Sequence, residues 1–257
     1  MDILWFKLIS VLVIFTIGLF AGIIPTRKTI TSKGKQGLIL GNTFAGGIFL
    51  GAGLIHLLPD SIENFNTLAG KVDFPFPTLI AGIGFLFILF LDKAASKGQD
   101  HHEIVTKKEP IFPFILYLVL SIHSIIAGAS LGLEGSLLST ITLFIAIIAH
   151  KGAASFALGV SLKKNGIATK RHIITIAFFA MMTPLGIIIG TIFTSVLSSN
   201  TSILFEMIFD ALAAGTFLYI AIAEIIGEVF EKRTHIWSKL LLISAGFGLM
   251  ALIAIWA

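Results

Sequence analysis

Two histidines, His123 and His150, lie near the middle of two long apolar stretches and have similar residues after them. Each is followed by a polar or charged residue (Ser124 or Lys151), an alanine four positions on, and a Leu-Gly pair at positions eight and nine. This internal repeat predicts two imidazoles at matched depth on neighbouring antiparallel helices. Neutral imidazole binds Zn²⁺ and related divalent metals, so we interpret the pair as a candidate metal site.

The sequence offers only weak further ligands for a metal ion held by these two histidines. Ser124 could add a hydroxyl oxygen. Asp210 lies about two turns inside another apolar stretch, where a carboxylate is costly unless it faces water or a partner. Lys151 would repel a divalent cation unless its amine is neutral, turns away, or extends along the helix surface to water. Such a loosely held ion could leave again, which suits transport better than a structural metal.

Two other groups of metal-binding side chains lie near the ends of apolar stretches. His56, Asp60 and Glu63 follow near-helical spacing and could share one face at the outer mouth of a helix; an ordinary solvated helix end would have the same pattern. His101 and His102, with acidic neighbours, belong to a polar loop that could bind a cation weakly or could simply be solvated.

Composition predicts the elements that carry these side chains. The chain has 257 residues, 56% of them hydrophobic, and a mean hydropathy of +0.99. It has too little polar surface for a soluble globule, so we expect an integral, multi-pass membrane protein solvated by the lipid bilayer. About 20 apolar residues span a bilayer as a helix, and on this basis we predict a single all-α domain, a polytopic membrane helix bundle of eight transmembrane helices. The predicted spans are about 3–24, 37–58, 75–92, 111–133, 137–162, 172–197, 203–227 and 236–256, with a polar loop at 93–110.

The basic residues predict the orientation of these spans. Of the 18 Lys and Arg residues, 15 fall in the connections after the first, third, fifth and seventh spans or beside them. Lys and Arg accumulate in cytoplasmic loops. We therefore expect both termini outside and the 93–110 loop in the cytoplasm.

Several classes of function lack support in the sequence. The chain has no cysteine, so any metal must use imidazole, carboxylate or hydroxyl ligands. The basic residues are scattered in short loops, which does not favour a nucleic-acid partner. There is no His-Glu-x-x-His motif, and the Gly-x-Ser-x-Gly match at 128–132 lies within a predicted transmembrane span, so we do not expect an enzyme.

Five motifs lie in order along the predicted helices. They are Gly53-Leu54-Ile55-His56-Leu57-Leu58-Pro59-Asp60 in the second, His123-Ser124-x-x-x-Gly128-x-Ser130-Leu131-Gly132 in the fourth, His150-Lys151-Gly152 with Leu158-Gly159 in the fifth, Thr183-Pro184-Leu185-Gly186 in the sixth, and Ala214-Gly215-Thr216-Phe217-Leu218-Tyr219 with Glu224 in the seventh. Over nearly its whole length the chain resembles the ZIP (Zrt/Irt-like) family of divalent metal transporters.

This resemblance implies a ZIP-like eight-helix fold with an inverted internal repeat and both termini outside. It implies that the fourth and fifth helices carry the transport site and that the second and seventh complete the pathway. It also implies that Asp92 and Glu224 lie near the inner exit. The metal ion would be the transported substrate, and no cofactor is expected.

The chain departs from the family pattern at the site itself. The family usually has a glutamate four residues after one or both histidines, where this chain has Ala127 and Ala154. The ligands of a second metal would fall at Ser124, Lys151 and Thr183, which do not suit one. We therefore expect weaker binding or altered selectivity, or a share of the binding taken by Asp210.

The leading expectation is a transporter that moves a divalent metal into the cytoplasm, zinc first and iron or manganese behind it. The alternative is a transport-deficient relative that binds or senses metal, which the missing carboxylates favour. The membrane would be a plasma membrane or a bacterial inner membrane. The sequence leaves open whether the protein forms a homodimer.

Overall fold

The structure is a computed structural model that describes residues 2–27, 32–70, 72–97, 111–193, 199–231 and 235–255. Helices make up 93% of these residues, and eight helices are long and apolar enough to cross a membrane. The prediction of an all-α membrane protein with eight spans is confirmed. The helices are α1 (Ile3–Arg27), α2 (32–69), α3 (Phe76–Lys97), α4 (Ile111–Leu133), α5 (Leu137–Lys164), α6 (Thr169–Phe193), α7 (199–231) and α8 (Ile236–Ile253).

Most helix bounds agree with the sequence prediction to within a few residues, and α2 is the main exception. The predicted span ended at 58, whereas the helix continues to Ala69. Pro59 does not stop it, because the proline directly follows the wider π-helical turns Ala52–Leu57, where the regular hydrogen-bond ladder is already interrupted. The extension carries Asp60 and Glu63 on a helix rather than in a loop.

The eight helices form two groups of four. In the first bundle, α1, α4, α5 and α6 make their most extensive contacts with one another. In the second bundle, α2, α3, α7 and α8 do the same. The contacts between the bundles are narrower and run mainly from α2 to α5 and from α4 to α7. A site between the bundles therefore takes its side chains from helices that pack in two separate groups.

Glycines allow backbones to touch within each bundle. A Cβ at Gly128 on α4 would overlap the carbonyl of Thr183 on α6, and a Cβ at Gly47 on α2 would overlap the carbonyl of Ile243 on α8. Small residues at helix interfaces let membrane helices approach closely, which increases van der Waals contact in the absence of a strong hydrophobic driving force. Gly128 and Gly47 are therefore packing residues within the two bundles.

Two helices contain a π-helical segment. One is Ala52–Leu57 in α2 and the other is Ile220–Ile226 in α7. The first carries His56 and the second carries Glu224. Such wide turns leave backbone groups less regularly paired and occur often at functional sites. Both segments therefore carry residues that the sequence analysis named as candidate metal-binding or pathway residues.

One end of the molecule is basic and the other acidic. We call the basic side the end where Lys163, Lys164 and Lys239 lie, and the acidic side the end where Asp60, Glu63 and Glu134 lie. The candidate site lies between these two ends, at the interface of the bundles.

Candidate functional site

The structure brings His123 on α4 and His150 on α5 together. The centroids of their rings are 5.5 Å apart. Both side chains are buried, with exposed fractions of 7% and 4%. The matched depth that the sequence repeat predicted places the two rings side by side, within reach of one shared ion.

Each of these histidines has a ring nitrogen without a hydrogen-bond partner among the described atoms. The atoms are Nε2 of His123 and Nδ1 of His150, although the backbone of Ala146 lies near the His150 ring. A buried polar atom without a partner costs free energy of about 1–3 kcal/mol. Such nitrogens in two adjacent buried rings are a specific reason to expect a ligand that accepts their lone pairs, such as a cation.

His56 joins the pair as a third histidine. Its ring centroid lies 6.2 Å from that of His150, and the residue is buried. Its Nδ1 lies 2.7 Å from a carboxylate oxygen of Asp60, one helical turn further along α2. This contact fixes the ring and leaves Nε2 as the nitrogen that could bind a metal. The sequence analysis expected His56 at the outer mouth, but the structure buries it beside the other two histidines.

Phe217 on α7 forms a wall of the histidine cluster, and the sequence analysis gave it no role. Its ring centroid lies 4.8 Å from that of His123 and 6.0 Å from that of His150. Both contacts are edge-to-face. The only sequence signal was its position in the Ala-Gly-Thr-Phe motif of the seventh span, which by itself indicates packing as readily as a site.

A cavity of about 160 Å³ joins the three histidines to the acidic side. Asp60, Glu134, Glu206 and Asp210 are among the residues that line it. A second cavity of about 370 Å³ on the same side also reaches His56 and Asp60 and includes Glu63. The structure thus brings Asp60, Glu63 and Asp210 to the approach to the histidines. This approach therefore combines carboxyl and imidazole side chains, which are groups that can bind a divalent cation.

Glu134 lies in the short turn between α4 and α5 and lines both acidic-side cavities. Burial raises the pKa of its carboxyl above the usual value, while nearby Lys7 acts against that rise. Lys7 donates hydrogen bonds to the backbone carbonyls of Gly132 (2.6 Å) and Glu134 (2.9 Å), which ties α1 to the end of α4. The sequence analysis gave Glu134 no role in the site.

Lys151 is fully enclosed next to the histidines, with an exposed fraction of 2%. Its amine donates to the Ser124 hydroxyl (2.9 Å) and to the Phe179 carbonyl (3.1 Å), and lies 3.7 Å from the centroid of the Phe179 ring. Among the alternatives for this lysine, extension along the helix to water does not occur. Ser124, a predicted weak metal ligand, is engaged by this amine.

The two alanines that replace the family's usual glutamates have different surroundings. Ala127 lines the cavity beside the histidines. Ala154, with an exposed fraction of 3%, packs in the hydrophobic core with Ala157 and Leu158. A carboxylate at Ala127 could therefore reach the site, whereas one at Ala154 would have to displace core packing.

A separate cavity of about 250 Å³ opens toward the basic side. Asp92 and Glu224 line it, together with Glu228 and Asn42, but the histidines do not. Asp92 and Glu224 line one cavity, which fits the expectation that both lie near the inner exit. Lys164 on α5 pairs with Glu228 on α7 at the edge of this cavity, which links the two bundles on the basic side.

Within the described part of the chain, no three His, Asp or Glu side chains converge closely enough to hold a metal ion together. The histidine cluster therefore offers an incomplete coordination shell that a small side-chain movement or water would have to complete. His101 and His102 of the predicted loop site lie outside the described residues.

Eight apolar spans, with a buried histidine cluster between two helix bundles, define a multi-pass integral membrane protein. Comparison with known proteins gives the family. The model of the family described as "ZIP Zinc transporter" matches residues 4–110 and 95–254. The chain therefore belongs to the ZIP family.

Individual relatives agree with this assignment. The chain is similar to zinc transporter ZIP2 of Mus musculus, with 30% identity over 264 residues that cover 85% of each chain. Zinc transporter ZIP2 of Homo sapiens is 28% identical over 273 residues, which cover 88% of each chain. Protein zntD of Dictyostelium discoideum is 39% identical over 174 residues, which cover 62% of this chain and 25% of that protein.

Proposed function

We propose that the protein moves a divalent metal ion, zinc first and iron or manganese behind it, from the acidic side to the basic side. The observation that carries this proposal is the cluster of His56, His123 and His150 at the interface of the two bundles, with unpartnered ring nitrogens on two of them. Family membership and the names of its relatives support the metal and the process.

The orientation follows from the charges at the two ends. Cytoplasmic segments next to membrane helices are enriched in Lys and Arg. The basic side therefore faces the cytoplasm and both termini face outward, so that the proposed movement is uptake. A plasma membrane or a bacterial inner membrane would meet this requirement.

The ion enters through the acidic-side cavities. Carboxylates attract and partly desolvate the cation, with Glu63, Asp60 and Asp210 as the predicted contacts and Glu134 as one that the geometry adds. The imidazoles then bind it between the bundles. The ion leaves past Glu224 and Asp92, which share the basic-side cavity.

A relative movement of the two bundles would alternate access to the histidines. The backbone-to-backbone glycine contacts at Gly128 and Gly47 lie within the bundles, whereas Gly41 on α2 faces only the side chain of Phe156 on α5. Side-chain contacts can be exchanged at lower cost than interlocked backbones. Movement of one rigid helix group against another across such an interface is the usual basis of alternating access in transporters. The Lys164–Glu228 pair would have to separate when the basic side opens.

Lys151 favours transport of one ion at a time. Its amine occupies the space between the Ser124 hydroxyl and the Phe179 carbonyl, where a second metal would require ligands. An ammonium there would also reduce the affinity of the histidines for a divalent ion through charge repulsion. Weaker binding is compatible with release on the other side.

Purified protein reconstituted in liposomes tests the proposal by uptake of radioactive zinc. We expect His123→Ala to reduce uptake at least about tenfold, because it removes a ligand that no neighbour replaces. A matched control is His172→Gln, since His172 is also buried but contacts the Gly22 carbonyl within the first bundle, 2.9 Å from its Nε2. Wild-type uptake by the His123 variant would refute the proposed site.

A metal-sensing relative remains the second candidate, favoured by the alanines at 127 and 154. One measurement distinguishes a sensor from a transporter. A sensor would bind zinc in detergent without accumulating it in the liposomes, whereas a transporter does both.

A further inference from the structure

Asn42 on α2 is a buried amide whose role the function described so far does not explain. Its exposed fraction is 6%, and its side-chain oxygen, Oδ1, has no hydrogen-bond partner among the described atoms. It lies 14 residues before His56 on the same helix, which corresponds to about 21 Å along a regular helix axis. This distance places it well to the basic side of the histidines.

The surroundings of Asn42 favour a cation as the missing partner. Asn42 lines the basic-side cavity of about 250 Å³, which also includes Asp92 and Glu224. It also lines an adjoining cavity of about 380 Å³ that extends toward Lys35 and Lys239 at the basic surface. The buried oxygen thus lies between an acidic compartment and a basic opening, where an exiting ion must lose its protein ligands.

The neighbouring carboxylates are only partly neutralised by protein groups. Lys164 pairs with Glu228, and Lys93 lies 2.9 Å from Asp92. Asp92 also accepts a hydrogen bond from the Tyr219 side chain. These contacts hold the carboxylates in place but leave room in the cavity for a hydrated cation. An amide oxygen is an acceptor only, so it could replace one water in the shell of that cation.

On the basis of the proposed transport, we propose that Asn42 is a specificity-determining residue whose amide oxygen binds the divalent ion in the basic-side cavity after it leaves the histidines. A neutral oxygen binds zinc less strongly than imidazole does, and oxygen ligands suit Mn²⁺ better than nitrogen ligands do. Asn42 therefore provides a weak intermediate position that promotes release and reduces the preference for zinc over manganese.

Two substitutions separate the contribution of the oxygen from that of the packing. Asn42→Leu keeps a similar volume but removes the oxygen, and Asn42→Asp keeps an oxygen and adds a charge. The matched control is Asn165→Leu, because Asn165 lines the same cavity but is exposed and donates to the Ser161 carbonyl at 2.9 Å. Every variant contains all 257 residues of the sequence.

The first measurement is zinc and manganese uptake into liposomes. We expect Asn42→Leu to lower the maximal uptake rate of both metals at least about fivefold without much change in the half-saturating concentration, because the histidine site still receives the ion. Manganese should lose more than zinc, so their ratio shifts. Asn42→Asp should slow zinc release while it preserves manganese uptake better than Asn42→Leu does.

The second measurement is calorimetric binding of Mn²⁺ to purified protein that carries His56→Ala, His123→Ala and His150→Ala. This background removes the histidine ligands, and the remaining weak binding should fall when Asn42→Leu is added and persist with Asn165→Leu. A merely structural role for Asn42 would not produce this difference.

The outcomes distinguish the two proposals. If His123→Ala abolishes uptake and both Asn42 variants transport like wild type, the role of Asn42 is refuted and the proposed function stands. Equal losses of zinc and manganese uptake in both Asn42 variants, with unchanged Mn²⁺ binding in the background that lacks the clustered histidines, would also refute it. If His123→Ala leaves uptake intact, the proposed function fails instead.

Discussion

At the scale of single residues, the site depends on nitrogen atoms that the protein leaves without partners. His123 and His150 are buried together, and Lys151 beside them bonds to Ser124 and Phe179 instead of the imidazoles. The amine therefore donates its hydrogen bonds to these two groups and does not occupy the imidazole nitrogens of the site. The histidines remain able to accept a cation, which is the condition that the proposed transport requires.

The two alanines that depart from the family pattern give a prediction at this scale. Ala127→Glu should tighten zinc binding about tenfold, equivalent to about 1.4 kcal/mol, because a carboxylate at this position reaches the cavity of the histidines. Calorimetric titration of the purified variants measures the change.

Ala154→Glu provides the contrast for that prediction. Its carboxylate would enter the hydrophobic core, where an unpaired charge is costly, so the variant should lose thermal stability and gain no affinity. If Ala127→Glu left the affinity unchanged, the idea that the missing carboxylate weakens this site would have to be abandoned.

At the scale of the helices, irregular and close-packed segments have different tasks. The π-helical segments in α2 and α7 carry His56 and Glu224. The glycine contacts between α4 and α6 instead hold the helix of His123 against its neighbour. One kind of segment presents side chains along the pathway, and the other fixes the backbone from which a ligand projects.

A substitution at Gly128 tests the importance of this backbone approach. Gly128→Val should destabilise the protein by about 1–3 kcal/mol, because the new side chain would meet the Thr183 backbone, which cannot move without displacing α6. Thermal unfolding in detergent, followed by circular dichroism, measures the loss. The comparison is Gly82→Ala on α3, where a Cβ meets no atom within 4 Å. A Gly128 variant as stable as the Gly82 variant would contradict the packing argument.

At the scale of the whole molecule, the division into two bundles connects the fold with transport. The histidines come from both groups, with His56 on the second bundle and His123 and His150 on the first. A shift between the groups would change the distances between these rings. It would thereby change both the affinity for the ion and the side from which the ion is accessible.

Cross-linking the bundles should stop this shift. The chain has no cysteine, so pairs can be introduced without interference. Gly41→Cys with Phe156→Cys joins the two bundles, because a Cβ at Gly41 lies 2.7 Å from the ring of Phe156. After treatment with a short bifunctional thiol reagent that can be cleaved by a reductant, zinc uptake should fall at least about fivefold, a change of about 1 kcal/mol in the apparent barrier, and recover on reduction.

A pair within one bundle controls for the reagent and for cysteine substitution. Gly152→Cys with Ile17→Cys joins α5 to α1, where a Cβ at Gly152 lies at an ordinary van der Waals distance, 3.4 Å, from the side chain of Ile17. This link should leave uptake nearly unchanged. Equal inhibition by both links would contradict the proposed movement between the bundles.

The sequence by itself determined the elements of this protein and part of its site. Long apolar stretches must become helices in a bilayer, since every backbone polar group has to be satisfied within the chain. This requirement made the eight spans predictable. The proximity of His123 and His150 was also predictable, because the sequence repeat places them at equal depth on adjacent helices, where two side chains can meet.

Only the tertiary structure decided which helices share a bundle and what surrounds each side chain. His56 was expected at the outer mouth of a helix but lies in the cluster, Phe217 had no assigned role, and Ala127 and Ala154 could not be told apart. The physical reason is that an apolar helix can face lipid or protein with almost equal ease. Its rotation and its partners are therefore set by glycine contacts and buried hydrogen bonds between segments far apart in the chain, which hydropathy does not encode.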